Sequence, residues 1–181
     1  MYLKRLSLTN FRNFTRLDMN VPRRSVLLVG DNAQGKTSIL EAIYFLAALT
    51  SFQTNADRQM VNFLEARNTP AVARIVGEYV RGTRTHKLEV RLILDPVGVG
   101  NGQRLRKEIL LDGVKKQASD VIGKFSAVVF VPQMSQIIEG APDDRRRYLN
   151  LALAQSTPAY ARVLSEYNQA LTQRNALLKM L

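Results

Sequence analysis

Eight residues, Gly30-Asp31-Asn32-Ala33-Gln34-Gly35-Lys36-Thr37, fit the spacing G-x-x-x-x-G-K-[ST]. Each fixed position has a physical task in holding phosphate. Gly30 and Gly35 permit backbone angles that turn successive N–H groups inward around anionic oxygens. Lys36 supplies a compact positive charge for the outer phosphates, and the Thr37 hydroxyl suits Mg²⁺. A helix starting at this point adds its positive end and the free N–H groups of its first turn, Ser38 included. The expected ligand is a nucleoside triphosphate held with Mg²⁺. No N-K-x-D-like guanine reader occurs in the chain, which favours ATP.

A phosphate loop needs a strand before it and a helix after it. Ser25 to Val29 is an almost continuous apolar run, the pattern of a strand buried on both faces. From Thr37 to Leu49 the apolar residues change to helical spacing, with Ile39, Leu40, Ile43, Leu46 and Ala47 on one side. Upstream, residues 2–9 and 14–21 alternate apolar and polar around N-F-R-N, which predicts an antiparallel hairpin. Residues 50–70 read as a loop with a short helix near Gln59 to Leu64.

Alternation returns in A-V-A-R-I-V-G-E-Y-V, in H-K-L-E-V-R-L-I-L-D and again over Arg104 to Asp112. The turns P-V-G-V-G-N-G and Asp112-Gly113 join these into an antiparallel meander with one solvated face. The lone histidine, His86, falls on this alternating stretch and reads as a strand residue. Ser126 to Val131 is a second apolar run, expected beside the first in a central sheet and ended by Pro132. A helix should begin near Pro142, with Asp143 and Asp144 in its first turn and Asp143 four residues before Arg147. A further helix, capped by Ser156-Thr157-Pro158, carries Tyr160, Leu164, Tyr167, Leu171 and Leu178 in a heptad-like stripe. The chain stops in mid-helix at L-L-K-M-L without a stop signal, which reads as a fragment.

Composition narrows the classes. The 181 residues are 46% hydrophobic, contain no cysteine and carry a formal charge of +11. Disulfides and cysteine metal sites are excluded, in keeping with a reducing compartment. No apolar run reaches membrane-span length, and the N-terminus lacks a signal-peptide h-region. The expected location is the cytoplasm, away from membranes. The charge points to a polyanionic partner, although it is spread along the chain, with Arg145-Arg146-Arg147 its only dense run.

Hydrolysis requires more than a phosphate cradle: an acid at the end of a second strand for Mg²⁺ and a group that orients water. Asp95 and Asp112 end strands, but strands of the alternating meander, and both lead into turns. The second buried run ends at Gln133 instead of an acid. No Leu-Ser-Gly-Gly-like motif occurs.

Taken together, M-Y-L-K-R-L-S-L-T-N-F-R-N-F, G-D-N-A-Q-G-K-T-S-I-L-E-A-I-Y, V-V-F-V-P with G-A-P-D-D-R-R-R-Y-L-N, and Q-R-N-A-L-L-K resemble the RecF family. These are bacterial recombination-mediator ATPases related to SMC proteins. The resemblance implies an α/β fold: lobe I of a P-loop ABC-type ATPase with an antiparallel meander, then the first helices of an α-helical lobe II. The corresponding division is 1–132 and 133–181. It further implies ATP-dependent homodimerisation of the full-length protein, binding of double-stranded DNA near single-strand gaps, and loading of RecA with RecO and RecR. Arg12 matches the arginine that reaches the nucleotide phosphates, and Gln133 matches the Q-loop position that meets the metal. Many relatives have an acidic pair after the proline, where this chain has Gln133-Met134. No catalytic residue is assigned within the chain beyond that Q-loop match, and ATP binding without efficient hydrolysis is expected. Two other readings stay open: a small phosphotransferase, which needs an acceptor site and lid arginines, and a non-enzymatic DNA-binding domain whose loop grips DNA phosphate.

Overall fold

The computed structural model describes residues 1–67, 70–97, 102–132, 136–157 and 159–180. The N-terminal alternation forms the predicted hairpin, β1 (Tyr2–Phe11) and β2 (Phe14–Asn20), antiparallel with Phe11 opposite Phe14. The meander follows as β3 (Ala71–Arg81), β4 (Arg84–Val97), β5 (Gly102–Leu111) and β6 (Val114–Lys116). Together they make one six-stranded sheet in the order β2-β1-β3-β4-β5-β6, antiparallel throughout. Helices are α1 (Lys36–Ala48), the short α2 (Ala118–Val121) and α3 (Gln136–Glu139), then α4 (Pro142–Ser156) and α5 (Tyr160–Leu178). The result is the expected mixed α/β class.

Strand alternation decides which face receives α1. Leu6 and Leu8 of β1, Ala73 and Ile75 of β3, and Leu88, Val90 and Leu92 of β4 are buried in one core with Ala42, Phe45 and Leu46 of α1. Gly77 lets the helix come close: a Cβ there would lie 2.7 Å from Leu46 Cδ1. Lys107, on the same face of β5, donates to Leu49 O (2.8 Å) past the C-terminus of α1 and pairs with Asp57 (2.6 Å). A cation at that helix end is electrostatically favoured.

The opposite face carries charge, as the alternation predicts. Glu89 sits between Arg74 (2.7 Å) and Arg91 (2.6 Å) and is itself buried by them. Hydrogen bonding from Arg74, reinforced by Arg91, lowers its pKa to about 2 from an ordinary 4.5. A depressed carboxylate pKa stabilises the fold above the unfolded value, and that contribution disappears as pH falls through the folded value. Glu89→Gln is therefore expected to be less stable than the parent at pH 6, with the gap closing between pH 4.5 and 2. The arginines' partial exposure screens the pair, so the gap should be on the order of 2–3 kcal/mol. Urea midpoints across that pH range check this; a pH-independent gap refutes it.

Two expectations are corrected. Neither Ser25–Val29 nor Ser126–Val131 is a strand. Leu28 and Ala127 pack on the core, but Leu27 is 86% exposed, Val128 95% and Phe130 91%. Sheet membership requires a ladder partner as well as apolar side chains, and among the described residues the antiparallel order offers these runs none. The 50–70 region likewise forms two 3₁₀ turns, Asp57–Met60 and Glu65–Arg67, in place of one helix over Gln59 to Leu64.

In the helical part, Ala141 precedes α4 with Pro142 at its start. Asp143 pairs with Arg146 (3.1 Å), three residues on, and not with Arg147. Arg147 instead reaches Asn55 Oδ1 (2.6 Å) and Thr50 Oγ1 (2.8 Å), so it tethers α4 to the segment after α1. Adjacent helical residues point about 100° apart, which is why neighbouring arginines take different partners. Along α5 the apolar stripe is only partly covered: Tyr160, Leu164 and Leu171 are half-buried, while Tyr167 and Leu178 are exposed. Pro158 lies outside the described residues. No helix among the described residues is long and apolar enough to cross a membrane.

Candidate functional site

The phosphate-loop segment closes onto the N-terminus of α1, where Gly35 takes φ 92° as the residue before the helix. That left-handed angle favours glycine. Crowding adds a second requirement, because a Cβ on Gly35 would lie 2.6 Å from Phe14 Cζ and 2.7 Å from Asn13 Nδ2. The hairpin turn and the phosphate loop are thus packed backbone to side chain. Lys36 Nζ donates to Gly30 O (2.7 Å) and Asp31 O (2.7 Å), which holds the ammonium over the loop's own backbone. The first turn of α1 contains no acid to offset the helix's positive end.

These elements enclose a cleft of about 490 Å³. Its walls include Asn32 to Ser38 from the loop and helix start, Arg12 and Asn13 from the hairpin turn, and Gln53, Gln59, Val61 and Phe63 from the segment after α1. Seven of the predicted loop positions, Asn32 through Ser38, are therefore brought together, and Arg12 joins them. Gln133 lies outside the described residues.

Arg12 is held firmly. Its backbone takes φ 52°, its N–H donates to Met60 O (2.8 Å), and Asn62 Nδ2 donates to Arg12 O (2.9 Å). The guanidinium forks onto Glu41, Nε to Oε2 (2.7 Å) and Nη2 to Oε1 (2.6 Å), while Nη1 donates to Gln59 O (3.0 Å). Glu41 is fully buried on α1, and the Ser51 hydroxyl also donates to Oε1. Ser51 in turn accepts from the backbone N–H of Gln53 (2.8 Å) and Thr54 (3.1 Å). One buried carboxylate therefore joins the turn, the helix and the following loop. Such bidentate, charge-assisted bonds fix orientation as well as supply energy.

Sequence reasoning passes over Glu41, although one signal is present. It is the single acid in α1, K-T-S-I-L-E-A-I-Y-F-L-A-A, and it falls amid that helix's apolar residues. A charge in that setting calls for a buried partner. Asp95 and Asp112 lie elsewhere. Asp95 pairs with Arg106 (3.3 Å) on the outer face of the sheet. Asp112 accepts from the Lys87 backbone N–H (2.8 Å) and pairs with His86 Nδ1 (2.8 Å), whose ring stacks on Tyr79. Among the described residues, no aspartate or glutamate lines the loop's cleft.

The cleft's lining suits a polyphosphate: a left-handed, crowded glycine corner, an ammonium and a helix N-terminus without an acid in its first turn. Thr37 brings a hydroxyl-bearing side chain to the same cleft.

Residues 1–175 match the AAA ATPase domain family. The protein described as DNA replication and repair protein RecF from Roseiflexus castenholzii is 40% identical over 99% of this chain and 46% of its own length. Its namesake from Chloroflexus aurantiacus is 38% identical, with the same coverage. A solved structure described as the recombination mediator protein RecF-ATP in the RecFOR pathway superposes with TM-score 0.83 at 30% identity, covering 99% of this chain and 46% of that one. The resemblance to RecF thus extends over essentially the whole chain, and the chain spans about half the length of the curated relatives it matches.

Proposed function

The chain belongs to the AAA ATPase domain family, and from that premise we propose that it is the ATP-binding part of a RecF-like DNA repair and recombination ATPase. The observation that carries this reading is the Gly35 corner, where backbone angle and crowding both demand glycine directly before Lys36 and the start of α1. Residues 30–38 hold the polyphosphate, Lys36 meets its outer charges, Thr37 takes Mg²⁺, and Arg12, oriented by Glu41 and Gln59, approaches the phosphates from the hairpin turn. When bound, Mg²⁺ supplies charge neutralisation between the phosphates. Residues 1–132 make up lobe I and residues 133–181 begin the helical lobe II, whose first residue, Gln133, is the Q-loop contact.

Binding without efficient hydrolysis is the behaviour proposed for the chain itself, since the sequence carries half of an ABC-type site. The whole protein would close as an ATP-dependent homodimer on double-stranded DNA beside single-strand gaps and act with RecO and RecR to load RecA in the cytoplasm. The +11 charge supports the DNA contact.

Single-turnover incubation with labelled ATP and Mg²⁺, reading bound and cleaved nucleotide together, tests the proposal. Bound, uncleaved ATP is expected, with affinity falling roughly tenfold to a hundredfold in Lys36→Ala, the range for losing a hydrogen bond to a charged group. Binding indifferent to Lys36 would overturn the site. Cleavage that depends on Lys36 would overturn the absence of hydrolysis.

A further inference from the structure

Phe63 is a large aromatic left open to solvent at a rigid position. It is 67% exposed, yet it lines the phosphate-loop cleft and follows two buried residues, Val61 and Asn62. Val61 bridges to Phe11 of β1. Asn62 is tied three ways: its N–H donates to Asn10 O (2.8 Å), its Nδ2 donates to Arg12 O (2.9 Å), and its Oδ1 accepts from Leu64 N–H (3.0 Å). The segment is therefore bolted to the hairpin turn, and Phe63 follows directly on it. The Arg67 guanidinium lies 4.4 Å from the ring centroid and covers one face. The other face is left for a planar ligand, and the cation–π contact on the first face helps orient the ring.

We infer that Phe63 is the stacking platform for the base of a purine nucleoside triphosphate whose phosphates occupy the Gly30–Thr37 loop. The inference rests on the nucleotide-binding reading above and adds a base subsite to it. Because both the loop and Phe63 hang on the same hairpin turn, one through Gly35 against Asn13 and Phe14, the other through Asn62 and Arg12, the two ends of the ligand site hold a fixed relation. Base–aromatic stacking tolerates different bases, so Phe63 rewards ring area and leaves the choice between adenine and guanine to other groups.

The test titrates ATP, CTP and inorganic tripolyphosphate into the chain and into Phe63→Ala. Exposure of the side chain means the substitution should leave the fold intact, and Phe63→Leu keeps apolar bulk without the ring. Both variants are expected to weaken ATP about tenfold to a hundredfold, weaken CTP less, and leave tripolyphosphate within about twofold, since it has no base to stack. The chain contains no tryptophan, so Phe63→Trp adds a single fluorophore that ATP should quench and tripolyphosphate should not. Equal weakening of ATP and tripolyphosphate, or a tryptophan that saturating ATP leaves unquenched, overturns the platform while the loop's role stands. ATP binding unaffected by Lys36→Ala overturns the loop and the platform together.

Discussion

Glu41→Ala is expected to destabilise the chain by about 3–5 kcal/mol, the cost of leaving a buried cation without its counter-charge. Its carboxylate is fully buried and receives both arms of Arg12 as well as the Ser51 hydroxyl. Removing it strands a guanidinium whose side chain is only 20% exposed. Arg12→Ala should cost a similar amount from the other side, and in addition should weaken nucleotide binding, since Arg12 lines the cleft and Glu41 does not. A paired replacement, Arg12→Met with Glu41→Leu, separates ion-pair loss from poor packing. Replacing both members of a buried pair with apolar residues is often close to neutral, so the double variant should recover much of the stability lost by Glu41→Ala. Urea unfolding of the variants decides it. If the double variant is as unstable as the sum of the single ones, the two side chains do not couple and the buried-pair account fails.

Gly35→Ala is the second large effect. A left-handed angle costs a non-glycine residue about 1–2 kcal/mol, and forcing a methyl against Phe14 and Asn13 adds roughly 1–3 kcal/mol of overpacking. An internal control exists at Gly113, where φ is 82° but nothing lies within 4 Å of the place a methyl would occupy. Gly113→Ala therefore reports the angle alone, and the difference between the two variants reports the crowding. We expect Gly35→Ala to be the less stable by more than about 1 kcal/mol and to weaken ATP binding, whereas Gly113→Ala leaves binding unchanged. Parallel thermal melts and nucleotide titrations check both statements. Equal melting losses would mean that Phe14 and Asn13 move aside freely.

Much of this arrangement is visible in local pattern. Alternation locates β1 to β5, because each strand has one apolar and one polar face; helical spacing locates α1 and α5, and the Pro142-Asp143-Asp144 start locates α4. The phosphate-loop residues are legible because their spacing is itself the chemistry. The runs at Ser25–Val29 and Ser126–Val131 mislead for a definite reason. An unbroken apolar run reports side-chain hydrophobicity, while strand formation depends on a neighbour's hydrogen-bonding edge, and no local window records that. Pairings across the chain are equally hidden: Arg12 with Glu41, Arg147 with Thr50 and Asn55, and the placement of Phe63 by Asn62. Each depends on where distant segments meet and so follows from the topology of the sheet.

That topology has a kinetic side. β1 pairs with β2 by a tight turn and with β3 only after an excursion through residues 21–70. The loop, α1, Ser51 and Phe63 all lie on that excursion, while β3 to β6 zip sequentially through neighbouring strands. Sequential hairpins involve short loop closures and form early, whereas joining β1 to β3 must first overcome the larger entropy of a long loop. The meander's hairpins can thus pair before the site exists. Their apolar face is covered only when α1 docks, because Ala42, Phe45 and Leu46 share one core with Leu88, Val90 and Leu92. The site's helix and the sheet therefore stand or fall together.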